Sequence, residues 1–284
     1  MTTSCLFVSD LHGSESRYEK LWAAIAGELP AAVFLGGDLL PHFAHAGPER
    51  DFVRERLAPG FAALRERLGA AYPPVFLILG NDDPRAFEPS IVAEGDAGLW
   101  LYAHQRRFDL PGGFCVYGYA YVPPTPFLLK DWERYDVSRY VDPGCVSPEE
   151  GRRSVDVPAH EIRDATIRDD LERLAGDADL GRSVFLFHSP PYDTLLDRAA
   201  LDGSSHDHVP LDVHVGSIAI RRFIEARRPR LTLHGHIHES ARLTGSWKER
   251  IGGTVALSAA HDGVELALVR FDLEDPDGAT RRLV

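Results

Sequence analysis

The chain reads as an α/β protein whose N-terminal half builds one sheet and whose C-terminal half contributes a second sheet packed on the first. Three observations predict this. Over the first third of the chain, short apolar runs alternate with stretches of helical periodicity, the pattern of strands joined through helices. Each of those apolar runs stops on polar residues, and open α/β sheets collect their ligands at the carboxyl ends of their strands. In the second half a strand, a helix and a strand follow one another, and residues 241–273 read as three more strands.

The elements follow in order. Residues 3–9 form a short buried strand, and residues 15–29 place Tyr18, Leu21, Trp22, Ile25 and Leu29 at helical spacing. Ala31 to Leu35 is a second strand, running into Gly36-Gly37-Asp38. Residues 48–69 carry Phe52, Leu57, Phe61, Leu64 and Leu68, an amphipathic helix or a pair of helices. Val75 to Leu79 is a third strand, ending in Gly80-Asn81. Residues 98–122 read as short antiparallel strands turned at Pro111-Gly112-Gly113. The stretch 119–158 is rich in proline and aromatics and has no period. It carries too many aromatics for a loose linker, so it is an excursion that either caps a site or packs on the body. A helix over 160–175, a strand at 183–187, an irregular loop at 189–215, a helix at 216–228 and a strand at 230–233 precede the tail. No boundary divides the sequence, which is taken as one domain over 1–284.

Composition narrows the function. There are 31 Lys and Arg against 43 Asp and Glu, a net charge of -12, which opposes binding to the backbone of duplex nucleic acid. A phosphate substrate is still compatible, because bound cations reverse the local field. No apolar run reaches the length of a membrane span, and MTTSCLFVSD lacks the features of a signal peptide, so a cytoplasmic protein is expected. Cys5, Cys115 and Cys145 are far apart and form no CxxC pair, which leaves no disulfide framework or zinc knuckle to read.

The chemistry lies in five short motifs: Asp10-Leu11-His12, Gly37-Asp38, Gly80-Asn81, His188 and Gly235-His236-Ile237-His238. Each falls just after an apolar run (LFV, AVFL, VFLIL, VFLF and RLTL), so five strand ends aim imidazoles, carboxylates and an amide at one sheet edge. Two divalent cations about 3.5–4 Å apart need a bridging carboxylate and mixed oxygen and nitrogen ligands. His and Asp suit Zn, Mn or Fe. A carbonyl ligand such as that of Asn lowers the negative charge of the site, and water between two cations becomes hydroxide near neutral pH.

This ordered series, DxH, GD, GN, H and GHxH, resembles the calcineurin-like metallophosphoesterase superfamily, over residues 8 to 238. The resemblance implies an αββα sandwich of two mixed sheets flanked by helices. It implies that Asp10, His12 and His238 hold one metal, that Asn81, His188 and His236 hold the other, and that Asp38 bridges them. The segments HSPPYDTLLD (188–197), HVGSIAIRRFIE (214–225) and HGHIHES (234–240) resemble a bacterial and archaeal branch of the superfamily.

Two places depart from that pattern. The family has His directly after the metal-binding Asn, where it protonates the leaving group or steadies the phosphoryl oxygens; here that position is Asp82, followed by Asp83. An ionised carboxylate is a poor acid at neutral pH. Either another group donates the proton, with His206, His208 and His214 in reach on the 189–215 loop, or the metals suffice for good leaving groups, or Asp82 orders Asn81 or a water. The tail is the second departure, reading Leu257-Ser258-Ala259-Ala260-His261 where relatives carry Asn-Pro-Gly. Arg17 and His214 are the candidate substrate contacts, although an Arg on an early helix usually faces solvent. His234 is turned away from His236 by strand alternation and read as structural, and His42, His45, His104 and His160 are read as bland. The expected function is hydrolysis of a phosphodiester or phosphomonoester of a small molecule or nucleotide. A scaffold that keeps the metal site without catalysis, and a nuclease, are the alternatives.

Overall fold

The computed structural model describes residues 4–42 and 51–284. Its first half forms β1 (Ser4–Val8), α1 (Glu15–Glu28), β2 (Ala32–Gly36), α2 (Ala58–Leu68), β3 (Val75–Ile78), α3 (Glu88–Asp96), β4 (Leu101–Tyr102), β5 (Arg107–Leu110) and β6 (Phe114–Tyr119). Its second half adds α4 (Ala159–Asp164), α5 (Ile167–Ala175), β7 (Ser183–Phe187), β8 (Ser205–His206), β9 (Val209–Pro210), α6 (Ile218–Arg227), β10 (Leu231–His234), α7 (Ser240–Thr244), β11 (Lys248–Ile251), β12 (Thr254–Ser258), β13 (Ala267–Asp272) and β14 (Thr280–Leu283). Two six-stranded sheets result, ordered β14-β13-β1-β2-β3-β4 and β11-β12-β10-β7-β6-β5. Both are mixed, with parallel pairs along β1–β2–β3–β4 and β6–β7–β10–β12 and antiparallel pairs elsewhere. The expected sandwich of two mixed sheets flanked by helices is what forms.

The central strands are buried on both faces, which is why they read as continuous apolar runs and not as alternating ones. Stacked rings fill the space around them, Phe34 on Phe76 and Tyr117 on Phe185. One apolar cluster joins side chains from both sheets and from α1, α2, α5 and α6. Among the described residues no helix is long and apolar enough to cross a membrane.

Helix starts follow the local chemistry. The Ser14, Thr166 and Ser217 hydroxyls accept the N–H of Arg17, Asp169 and Ile220, capping α1, α5 and α6. The helix expected over 160–175 is therefore two helices, because Thr166 adopts an extended conformation to make its cap. Leu29, expected inside the first helix, is its left-handed cap at φ 48° and lies half exposed. The segment 48–69 is a pair: one π turn at Val53–Leu57 leads into α2, and residues 48–50 lie outside the described region.

Three further expectations are corrected. β4 pairs parallel with β3 and completes the first sheet, so within 98–122 only β5 and β6 form the antiparallel hairpin, turned at Pro111–Gly113. β13 leaves the second sheet and pairs antiparallel with β1, where it covers an edge that would otherwise offer unpaired backbone. α3 was not foreseen, since its weak periodicity follows a run of loop-like residues, Asp82-Asp83-Pro84.

The excursion packs on the body. Trp132, Lys130 and Glu133 are buried, and the Lys130 ammonium and the Glu133 carboxylate bond each other and the backbone of Thr125. Asp136 accepts the Ser217 hydroxyl and the N–H groups of Ile218 and Ala219, so the excursion supplies a carboxylate to the start of α6.

Candidate metal centre

β1, β2 and β3 of one sheet and β7 and β10 of the other end at a common edge. Three backbone bonds lace the ends together: Asp10 N–H to Gly37 O (3.0 Å), His12 N–H to Asp38 O (2.8 Å) and Gly235 N–H to His188 O (2.9 Å). The approach is close enough to exclude side chains. A Cβ at Gly80 would overlap Asp38 Oδ1 and His188 Cε1, and one at Gly235 would overlap Ser9 Oγ. Asp10, His12, Asp38 and His236 adopt left-handed φ values of 57°, 46°, 52° and 75°. Such backbone is uncommon outside glycine, although Asp and His adopt it more readily than most residues, and it persists where its surroundings dictate it. Four of the seven expected ligands share it.

The seven side chains meet. The ligand atoms of Asp10, His12, Asp38 and His238 lie within 4.8 Å of one another, as do those of Asp38, His188 and His236. Asp38 belongs to both sets. Asn81 Oδ1 joins the second set, 3.0 Å from His188 Nε2. His238 Nε2 stands 3.2 Å from Asp10 Oδ1 and 3.2 Å from His12 Nε2. Imidazole nitrogens and carboxylate oxygens converging in this way form a donor set suited to divalent transition metals. The residues present fit such ions.

Charge explains their arrangement. Burial would raise the Asp10 carboxyl, but the hydrogen bond and charge of His238 bring it down to about 2. Asp38, also opposed by burial, is held below the usual carboxylate range mainly by His188. Burial would lower His188, and the Asp38 charge overrides it, lifting the imidazole to about 10. His238 is lifted to about 9 against burial by its bond to Asp10. His236 is pushed down to about 3 by burial and by the charge of His188. In the cation-free cluster two imidazolium groups therefore balance two carboxylates, and a bound cation takes over from their protons.

A second layer holds the first. His188 Nδ1–H donates to Gly36 O (2.7 Å), which aims Nε2 at Asp38. Asp83, fully buried, accepts the N–H groups of Leu40 (2.7 Å), Gly80 (2.9 Å) and Leu39 (3.1 Å), pinning the loop after β2 to the end of β3. Burial, followed by the Asp38 charge, pushes its carboxyl up to about 8. Asp82 donates its N–H to Asp38 Oδ1 (2.8 Å) and turns its carboxylate to His42, 3.0 Å from Nδ1.

Other sequence candidates lie elsewhere. Arg17 is half-buried, and its guanidinium donates to Asp10 O (2.6 Å) and to Gly263 O, tying the loop of Asp10 to the turn beyond Ala260. His214 bonds the buried Asp197 (2.8 Å) and, with His206 and His208, stays outside the cluster of ligand atoms. His234 is buried between Ser189 O and Thr232 Oγ1 and stacks on Phe187, a structural residue as expected. His104 is likewise buried and accepts the Ala120 N–H, His160 is exposed, and His45 lies outside the described residues. Among the described histidines of this group, His42 is the one that the fold brings to the site, with its ring stacked on His12. Its only sequence signal is its place on the loop that follows Asp38.

Comparison with known proteins agrees with this geometry. Residues 3–240 match the family model for calcineurin-like phosphoesterases. An uncharacterised protein of Methanocaldococcus jannaschii is 36% identical over 80 residues, a stretch covering 27% of this chain and 31% of that protein. The crystal structure of TT1561 of Thermus thermophilus superposes with a TM-score of 0.58 at 17% identity, over 100% of this chain and 99% of that one. A dimetal phosphatase from Danio rerio superposes at 0.52 and 13% identity, over 96% and 93% of the two chains. At these identities the two structures speak for the fold alone. The family match spans most of the chain and takes in every one of the five strand-end motifs, and the protein therefore belongs to the calcineurin-like phosphoesterase family.

Proposed function

We propose that the protein is a metal-dependent hydrolase of phosphate esters, holding two divalent cations of the Mn, Fe or Zn type and acting on a phosphodiester, or less readily a phosphomonoester, of a small molecule or nucleotide. One observation carries the reading. Asp38 belongs to both groups of converging donor atoms, which is the place of a carboxylate shared between two ions. Cations bound there supply Lewis acidity and a hydroxide near neutral pH.

The protein's own part is preorganisation. The left-handed backbone at Asp10, His12, Asp38 and His236 fixes where each donor points. Gly36 O fixes the tautomer of His188, and the Asp82 N–H holds one oxygen of Asp38. The preference for a diester rests on Asp82, whose carboxylate is partly exposed beside the cluster. A monoester dianion brings one more negative charge towards that carboxylate than a diester does.

The test is hydrolysis of bis(p-nitrophenyl) phosphate and p-nitrophenyl phosphate after chelation and return of manganese, with Asp38→Ala alongside. Metal-dependent turnover lost in the variant is the expected result, with the diester faster. A protein that takes up metal yet cleaves neither ester would favour a non-catalytic scaffold.

A further inference from the structure

We propose that His42 is the side chain that meets the leaving oxygen of the ester, and that Asp82 is its positioning residue. The inference rests on the phosphoesterase reading above and adds to it a residue outside the seven ligands.

An oxygen leaving phosphorus carries negative charge and departs faster when a donor meets it. The four ligand imidazoles are poorly placed for this. His188 uses Nδ1 on Gly36 O and aims Nε2 at Asp38 and Asn81. His12 and His238 turn their Nε2 atoms on each other, and His236 closes on Asp38 with His188. Asp82, next to Asn81, contributes a carboxylate, which accepts.

His42 differs in place and surroundings. Its ring lies parallel to that of His12, with centroids 4.4 Å apart and planes 19° apart, so it is one ring's thickness from the ligand cluster. Its side chain is 49% exposed, whereas that of His12 is 11% exposed, which puts it on the solvent side where substrate arrives. Its Nδ1 is 3.0 Å from Asp82 Oδ2, and Asp82 is in turn tied to Asp38 through its own N–H. Leu39 and Leu40, which lead to His42 from Asp38, are buried and clamped by Asp83. The imidazole is thus held from two sides at a fixed offset from the shared carboxylate.

The ligand atoms of His12, His42 and Asp82 also lie within 4.8 Å of one another, the spacing of a further cation site. The ring stacking opposes that use. An imidazole nitrogen binds a metal in the plane of its ring, and two nearly parallel rings stacked face to face cannot place one ion in both planes. The arrangement suits a carboxylate that orients an imidazole. In the step assigned to His42, the P–O bond breaks with its electron pair on the ester oxygen. That oxygen takes a proton from the ring Nε2 of His42, and the ring recovers one from water.

The test compares two diesters on the manganese-loaded protein, one losing p-nitrophenolate and one losing an aliphatic alcohol. His42→Ala is expected to slow the alkyl ester by about 100-fold or more and the nitrophenyl ester by less than about tenfold, since only the alkyl leaving group depends on a donor. Metal content should be unchanged, and added imidazole should restore part of the alkyl-ester rate. Asp82→Ala should show the same split in smaller degree. In the metal-free protein it should also shift the ring-nitrogen NMR signals of His42. Equal slowing of both esters by His42→Ala would overturn the role of His42, and an unshifted His42 ring in Asp82→Ala would overturn that of Asp82. Wild-type protein that binds metal but cleaves neither ester would remove the phosphoesterase reading itself, and this assignment with it.

Discussion

His188 Nε2 lies 3.3 Å from Asp38 Oδ2, a contact between the ends of strands in opposite sheets. It is one of several points where the two halves of the sandwich touch through polar groups, His238 Nε2 to Asp10 Oδ1 being another, and Asp38 also borders the Asp10, His12 and His238 group. Asp38→Ala should therefore empty both groups. Metal content measured by elemental analysis should fall, and turnover should drop by more than the roughly 10–100-fold expected when a residue behind a ligand is lost. A variant that kept its full metal complement would show that Asp38 is not shared.

Metal uptake should release protons, with a defined sign. The cation-free protein holds His188 at about 10 and His238 at about 9, both above the ordinary imidazole value. Their contribution to the stability of the metal-free fold is complete below about pH 6.5 and is lost as pH rises through about 9 to 10. Chelated protein should thus lose thermal stability across that window, while metal affinity rises because fewer protons compete. Calorimetric titration with manganese at pH 7.5 in two buffers of different ionisation enthalpy would count the protons released. A count of zero would contradict the imidazolium pair.

Asp83→Ala should cost stability out of proportion to its size. It would leave the N–H groups of Leu39, Leu40 and Gly80 buried without their acceptor. At about 1–3 kcal/mol for each stranded group, a loss of about 3 kcal/mol or more is expected in denaturant unfolding. A loss within about 0.5 kcal/mol, the range of an ordinary surface substitution, would mean that water replaces the carboxylate without penalty.

Arg17→Ala should behave as a loss of support for Asp10, not as a loss of substrate binding. The guanidinium is spent on Asp10 O and Gly263 O, so metal affinity should fall by about 10–100-fold. At saturating metal, KM should barely move. A KM rise at full metal occupancy would return Arg17 to the substrate.

The convergence of the seven donor side chains was legible in the sequence because each follows a strand that announces itself by its apolar run, and a strand end has only one direction to point. Asp83 and His42 were not. Both act across the fold, one by collecting N–H groups from two loops and the other by meeting a residue 40 positions away, and neither contact leaves a local pattern. The bonds of Arg17 were not legible, because its partners are backbone carbonyls, which no sequence displays. β13 showed its strand character but not its address, since an apolar run fixes how a segment folds and leaves open which edge it joins. The excursion's aromatics argued for order, yet only the structure shows Asp136 at the start of α6.

The placement of β13 beside β1 also bears on the order in which the molecule is assembled. A ribosome delivers Asp10 long before His238, and β1 receives its second neighbour only when residues 267–272 emerge. Until then the strand that carries the first two ligands has one side unzipped, so a nascent chain that already owns all seven donors still lacks the brace that sets two of them. Completion of the donor set is on this view a closing event that waits for residues 267–272.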